Sequence, residues 1–221
     1  MRLYFHLGEY SRVEQSFEDI DKVIEYNVRP FYEILKLAKK NNAKIIYSGS
    51  STKFSSYFKG DIMSPYAWSK KYNTEFLKQY AKWTKLNYAI TYFYNVYGKK
   101  EINRGKYATV IGKFISLANK GSNYLPVTLP GTQRRNFTHI DDVISGLKLV
   151  ALHGSGDNYC IASDKSFSII EIAKILKIKI KFFPSKMGNR KDSKMSTNKL
   201  KKLGWVAENK LQDFLLASIK K

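Results

Sequence analysis

The 221-residue sequence holds a single cysteine, Cys160, which excludes an internal disulfide. Its three histidines, His6, His139 and His153, stand far apart without ligand spacing, so no metal site is expected. No apolar run approaches the roughly 20 residues needed to cross a bilayer. The short apolar block at residues 1–6 is not followed by a secretory pattern, so a cytoplasmic location is expected. Acidic residues are scarce, 18 against 39 basic ones, for a formal charge of +21. That excess is nearly all lysine and runs through every predicted helix. Nucleic-acid modules gather arginine, lysine and aromatics on one face, so neither a nucleic-acid nor a membrane partner is expected, and an anionic substrate is the simpler counterpart. The 13 glycines nowhere fall as Gly-x-x-Gly-x-x-Gly, the spacing of a loop that receives a dinucleotide pyrophosphate on backbone N–H groups. What is abundant is core material: 43% hydrophobic residues, enough for one or two domains.

The chain is organised around Ser64-Pro65-Tyr66-Ala67-Trp68-Ser69-Lys70. Ser64 is a good helix cap and Pro65 a good first helical residue, because the missing N–H of proline is one the helix could not satisfy. Tyr66 and Lys70, four apart, share one face. An ammonium beside a phenol, both near the positive end of the helix dipole, favours the phenolate and predicts a general base usable near neutral pH. Upstream, residues 43–51 read as a buried strand running into a hydroxyl-rich loop. Downstream, residues 88–98 read as an apolar strand ending in Asn95-x-x-Gly98.

Strand-Ser, helix with Tyr and Lys, and strand-Asn-x-x-Gly in this order resemble the extended short-chain dehydrogenase/reductase family, in particular its nucleotide-sugar epimerases and dehydratases. Gly131-Thr132-Gln133-Arg134-Arg135-Asn136-Phe137 continues the resemblance. So does Lys186-Met187-Gly188-Asn189, with lysine where the family has arginine. The resemblance implies an NAD-dependent 4-epimerase acting through a transient 4-keto sugar. Tyr66 is then the base, Lys70 the residue that lowers its pKa and holds the nicotinamide ribose, and Ser50 the hydroxyl that positions the reacting oxygen. Leu7 and Gly8, where a first strand expected over residues 1–7 passes into a loop, form part of the cofactor floor, with Glu9 standing where the family has a small residue. Asn27, in a helix expected over residues 17–40 and kinked by Pro30, sits behind the pair and helps hold the lysine through water. Thr52 touches the hexose, and Asn95, Arg135 and Lys186 hold the diphosphate of the nucleotide-sugar partner. Two further departures are Tyr92 for an arginine and Lys99 for a proline. Dehydratases carry an Asp-Glu pair shortly after the catalytic hydroxyl, whereas this chain has Lys53-Phe54, which favours epimerisation or simple redox.

The fold expected is α/β, a partial Rossmann-like doubly wound parallel sheet lacking the first βαβαβ unit, with a smaller C-terminal α/β substrate domain. Residues 1–100 belong to the cofactor domain and 101–221 mainly to the substrate domain, with 136–162 returning to the sheet. The absent glycine loop and the bare edge of the first strand suggest a truncated or split form completed by an N-terminal piece. Relatives also pair as homodimers through the two long helices. Alternatives are a dehydratase or reductase of the same family, and a non-catalytic nucleotide-sugar-binding remnant. A basic nucleic-acid-binding protein is the least favoured.

Overall fold

The computed structural model describes residues 2–54, 63–184 and 196–219. In chain order the elements are β1 (Arg2–His6), α1 (Ile20–Val23), α2 (Arg29–Lys40), β2 (Ala43–Gly49), α3 (Pro65–Thr84), β3 (Tyr88–Phe93), β4 (Val96–Tyr97), α4 (Val110–Asn119), β5 (Tyr124–Thr128), β6 (Arg134–Asn136), β7 (Thr138–His139), α5 (Ile140–His153), β8 (Gly156–Ile161), β9 (Ser166–Ser168), α6 (Ile169–Ile175), β10 (Lys179–Phe183), α7 (Asn198–Lys201) and α8 (Leu211–Ser218).

Strands β1, β2, β3 and β8 form one sheet in that order, all parallel. β2 is buried along its whole length, which is why it reads as a nearly unbroken apolar run. Alternation then sorts its side chains between two cores. Ile45 and Tyr47 join Phe31, Leu35, Leu77 and Tyr80 under α2 and α3. Ile46 joins Val143, Leu147 and Val150 of α5, closed off by Trp205. Helices thus cover both faces, as in a doubly wound sheet. A third core, built from Ile111, Phe114, Leu125, Val127, Ile172 and Leu215, holds α4, α6 and α8 against the parallel β5–β10 ribbon.

The helix expected over residues 17–40 is broken. A 3-10 turn at Glu14–Phe17 precedes α1, and a π turn at Ile24–Val28 separates α1 from α2. In that wide turn the Arg29 N–H bonds the Ile24 carbonyl, five residues back, so Pro30 enters within the first turn of α2, where its missing N–H does no harm. The turn also aims Asn27 inward, fully buried. By contrast α3 starts as its residues dictate: the Ser64 Oγ accepts the Ala67 N–H at 3.2 Å and Pro65 follows the cap. Helical periodicity places Trp83 with Phe76, Leu77 and Tyr80 on the inner face of α3, yet it is 69% exposed, because Leu77, Tyr80 and Ala81 already fill that face. From sequence, Asp141 and Asp142 read mainly as caps of α5, but the cap is His139, whose Nδ1 accepts the Asp141 N–H at 3.3 Å. Asp142 instead turns inward to accept the Glu208 and Asn209 N–H groups, each at 3.1 Å.

Lys44 reaches across from β2 to the end of α5, where its buried ammonium donates to the carbonyls of Val150, Ala151 and Gly154 at 3.0, 2.7 and 2.5 Å. Val150 already accepts the Gly154 N–H at 2.9 Å, but the Ala151 and Gly154 carbonyls are ones that a helix end leaves short of partners, at the negative end of its dipole. Lys44→Ala is expected to destabilise the fold by about 2 kcal/mol, read from denaturant unfolding, because the carbonyls stay buried after the donor is gone.

Candidate active site

The parallel register brings the carboxyl ends of β1, β2 and β3 side by side, with His6 opposite Tyr47 and Gly49 opposite Tyr92. Ligands of open α/β sheets bind beyond such ends. Here they carry Leu7 and Gly8, then Ser48 to Ser50, and α3 starts over them with Tyr66. A methyl group built on Gly8 would meet nothing within 4 Å, and Leu7 is about half exposed, so this floor is open. At Gly49 the reverse holds, since a Cβ would lie 2.5 Å from the Tyr92 ring.

Tyr66 is half-buried in the first turn of α3, and Lys70 lies one turn further, buried. The spacing predicts an ammonium turned to the phenol, but the structure turns it to the sheet. Lys70 Nζ donates to the Ser48 carbonyl at 2.7 Å, pairs with the Glu9 carboxylate and lies 5.0 Å from the Tyr47 ring centroid. Glu9 is the hub. It accepts from Asn73 Nδ2 at 2.9 Å, lies 3.3 Å from His6 Nε2, and the Tyr47 hydroxyl points at it from 3.4 Å. Burial works to raise the Glu9 carboxyl, yet the His6 hydrogen bond and the Lys70 charge together bring it below the usual carboxylate value. The same carboxylate, added to burial, pushes the Tyr47 phenol well up.

Asn27 lies behind this pair and is linked to Lys70 through Asn73 and Glu9. Its Oδ1 accepts the Tyr10 N–H at 2.7 Å, its Nδ2 donates to Ser69 Oγ at 2.9 Å, and its carbonyl accepts from Asn73, which also bonds Glu9. Sequence reasoning passed over Asn73. Its signal was the stripe Tyr66, Ser69, Lys70, Asn73 on one helical face, too polar for a face that packs on a sheet.

Ser50 is buried, and its Oγ accepts from the Thr52 hydroxyl at 2.8 Å, so these two candidate hydroxyls already touch. Asn95, at a positive φ of 26°, donates to the Asn136 carbonyl at 2.8 Å, which draws the β3 end toward β6, the strand that carries Arg135. Lys186 lies outside the described residues. Lys53 and Tyr92 meet away from these groups: Asp157 accepts from Lys53 at 2.6 Å and from the Tyr92 hydroxyl at 2.7 Å, and Lys78 of α3 joins at 3.0 Å. These contacts hold Asp157 at about 2, against the burial that would raise it.

A cleft of about 250 Å³ opens beyond the Asn95 loop, lined by Gly98, Lys99, Glu101, Gly112 and Phe214 among others. It does not include Tyr66, Lys70 or Ser50. Glu101 accepts the Gly112 N–H at 3.2 Å through one oxygen, while the other is buried and without a partner among the described residues.

The sequence profile of the NAD dependent epimerase/dehydratase family matches residues 2–162. A dTDP-D-glucose 4,6-dehydratase of Dictyostelium discoideum is 28% identical over 195 residues, covering 78% of this chain and 43% of that protein. Among solved structures, UDP-glucose 4-epimerase of Thermotoga maritima, with UDP-glucose, superposes with a TM-score of 0.87 at 21% identity, covering 97% of this chain and 74% of that one. The Thermus thermophilus UDP-glucose 4-epimerase complex with NAD gives 0.85 at 19%, covering 96% and 75%. The chain spans about half the length of the curated relatives it matches.

Burial raises the Glu101 carboxyl to about 7, against the Gly112 hydrogen bond and the Arg12 charge. Ionising it therefore opposes folding: its contribution is intact below the ordinary carboxylate pKa and is lost as pH rises through 7. Glu101→Gln is expected to raise the melting temperature at pH 8 and to leave it unchanged at pH 4.

Proposed function

The chain is a member of the NAD dependent epimerase/dehydratase family, and on that premise we propose that it carries the catalytic side of an NAD-dependent nucleotide-sugar 4-epimerase acting through a transient 4-keto sugar. The observation that carries this reading is the buried, ion-paired Lys70 one turn from Tyr66, next to the Ser48 to Ser50 hydroxyls at the carboxyl ends of parallel strands. NAD, when bound, supplies the acceptor and donor of hydride. The open floor at Leu7 and Gly8 fits such a group, and with Tyr66 and Lys70 it would hold the nicotinamide side. Nothing in the sequence has the spacing of a pyrophosphate loop.

In this reading Tyr66 takes the proton of the sugar hydroxyl and later returns it, which is general base and then general acid work by one group. Ser50 orients the reacting oxygen, and Thr52, already bonded to it, faces the hexose. Asn95, Arg135 and Lys186 hold the diphosphate, for which the guanidinium fork of Arg135 is suited and the net positive charge favourable. Lys53 counts against dehydration: the position where an eliminating enzyme needs an acid or a base holds an ammonium bound to Asp157. Such an activity would sit in the cytoplasm, supplying sugar donors for polysaccharide assembly.

Two partners belong to the same proposal. β1 lies at one edge of the sheet with Phe5 half-exposed, where a parallel strand of a complementing N-terminal piece could pair and bring the pyrophosphate loop. The exposed faces of α2 and α3 present Tyr32, Trp68 and Tyr72, with Trp68 and Tyr72 stacked at 5.6 Å, which supports a homodimer through these helices.

Completed by an N-terminal piece that supplies the pyrophosphate loop, and given NAD and UDP-glucose, the enzyme is expected to form the 4-epimer. Tyr66→Phe is expected to lower kcat at least about 100-fold with nucleotide-sugar affinity unchanged. Binding of the nucleotide sugar without turnover by the completed, unsubstituted enzyme, or full turnover by the variant, rejects the assignment. Tyr72→Glu is expected to convert a dimer to a monomer in sedimentation.

A further inference from the structure

Glu9 is the group that the reaction as described does not use. It stands in the loop after β1 with its side chain 1% exposed, and its neighbours come from every element around it. His6 faces it from β1, Tyr47 from β2, Lys70 and the neutral Asn73 from α3, and the neutral Asn27 lies behind Asn73 on the π turn. Tyr66, which also acts electrostatically on Tyr47, is one helical turn from Lys70. A buried carboxylate survives only when paired and hydrogen-bonded, and this one has both. Its charge is equal and opposite to the charge that would have to act on Tyr66.

We propose that Glu9 is a positioning residue for the reaction: its carboxylate holds the Lys70 ammonium at the carboxyl end of β2 and balances its charge, so that the pair, and not the lysine alone, sets how readily Tyr66 gives up its proton. The helical spacing alone leaves Lys70 free to turn to the phenol. With Glu9 present, the ammonium is already occupied, and its field at Tyr66 is opposed by a negative charge at contact distance. Asn73 and His6 keep that carboxylate in place by occupying its remaining acceptor positions. The inference rests on Tyr66 being the base, but its measurement does not require turnover.

The test is a titration of the Tyr66 phenol in the full chain, followed by carbon NMR of tyrosine labelled at Cζ and assigned by the resonance lost in Tyr66→Phe. Glu9→Gln, which removes the charge and keeps the shape, is expected to lower the midpoint by about one pH unit, a tenfold change in ionisation. In the double variant Glu9→Gln with Lys70→Met, the midpoint is expected to return to that of the unsubstituted chain. A midpoint in Glu9→Gln that is unchanged or higher overturns the proposal. If Glu9→Gln does not fold, Lys70→Met is compared with the double variant, in which the buried pair is replaced by neutral groups. The retained carboxylate is expected to raise the Lys70→Met midpoint above that of the double, and equal midpoints overturn the proposal. A residue that served packing alone would move neither comparison. Turnover in the Tyr66→Phe assay decides the base itself, so the two failures are told apart.

Discussion

A carboxylate and an ammonium buried together where β1, β2 and α3 meet form the constraint on which the surrounding structure depends. Taking either charge out of water alone is prohibitive, and removing one partner of such a pair typically costs about 3–5 kcal/mol. Glu9 and Lys70 therefore have to arrive together, which ties the loop after β1 to the first two turns of α3. Asn73, Asn27 and Ser69 extend the tie outward by hydrogen bonds until it reaches the Tyr10 backbone. The π turn serves the same end. Without its extra residue per turn the Asn27 side chain would be rotated away from the loop it secures.

The sheet works on a larger scale by the same logic. Parallel strands deliver their carboxyl ends to one rim, and the groups needed for chemistry collect there because loops, not strands, can expose polar side chains. The opposite end is closed by Lys44, which satisfies three carbonyls where α5 stops. Asp157 performs a similar service beneath α3, binding Lys53, Lys78 and Tyr92 at once. A chain with so large an excess of lysine uses part of it internally, with Lys44 matched to a helix end and Lys70 and Lys78 to carboxylates among the described residues.

Much of this was legible in the sequence where the cause is local. Ser64 and Pro65 announce a helix start by the donors they satisfy or lack, Thr109 and Ser168 cap their helices in the same way, and the apolar runs at β2 and β3 mark central parallel strands. The family resemblance then assembled these signals into a candidate site. Errors arose where a side chain chose between distant partners. Asp142 was read as a cap and is instead an acceptor for residues 66 and 67 positions later in the chain. Trp83 was placed inward by periodicity alone, although the inner face was already full. Tyr92 and Lys53, noted as departures from the family pattern, belong to one ion-pair cluster on β8 that no local rule connects.

The sequence by itself determined the α/β alternation, the position of Tyr66 and Lys70 on one helical face, and the hydroxyl-rich turn after β2, because each follows from caps, periodicity and strand composition within a few residues. Only the tertiary structure decided where the Lys70 charge goes. A spacing of four fixes which side chains are neighbours on a helix, but the direction of a long flexible ammonium is set by the strongest acceptor within reach. That acceptor is Glu9, 61 residues away in the chain and adjacent only once β1 has paired with β2 beneath α3.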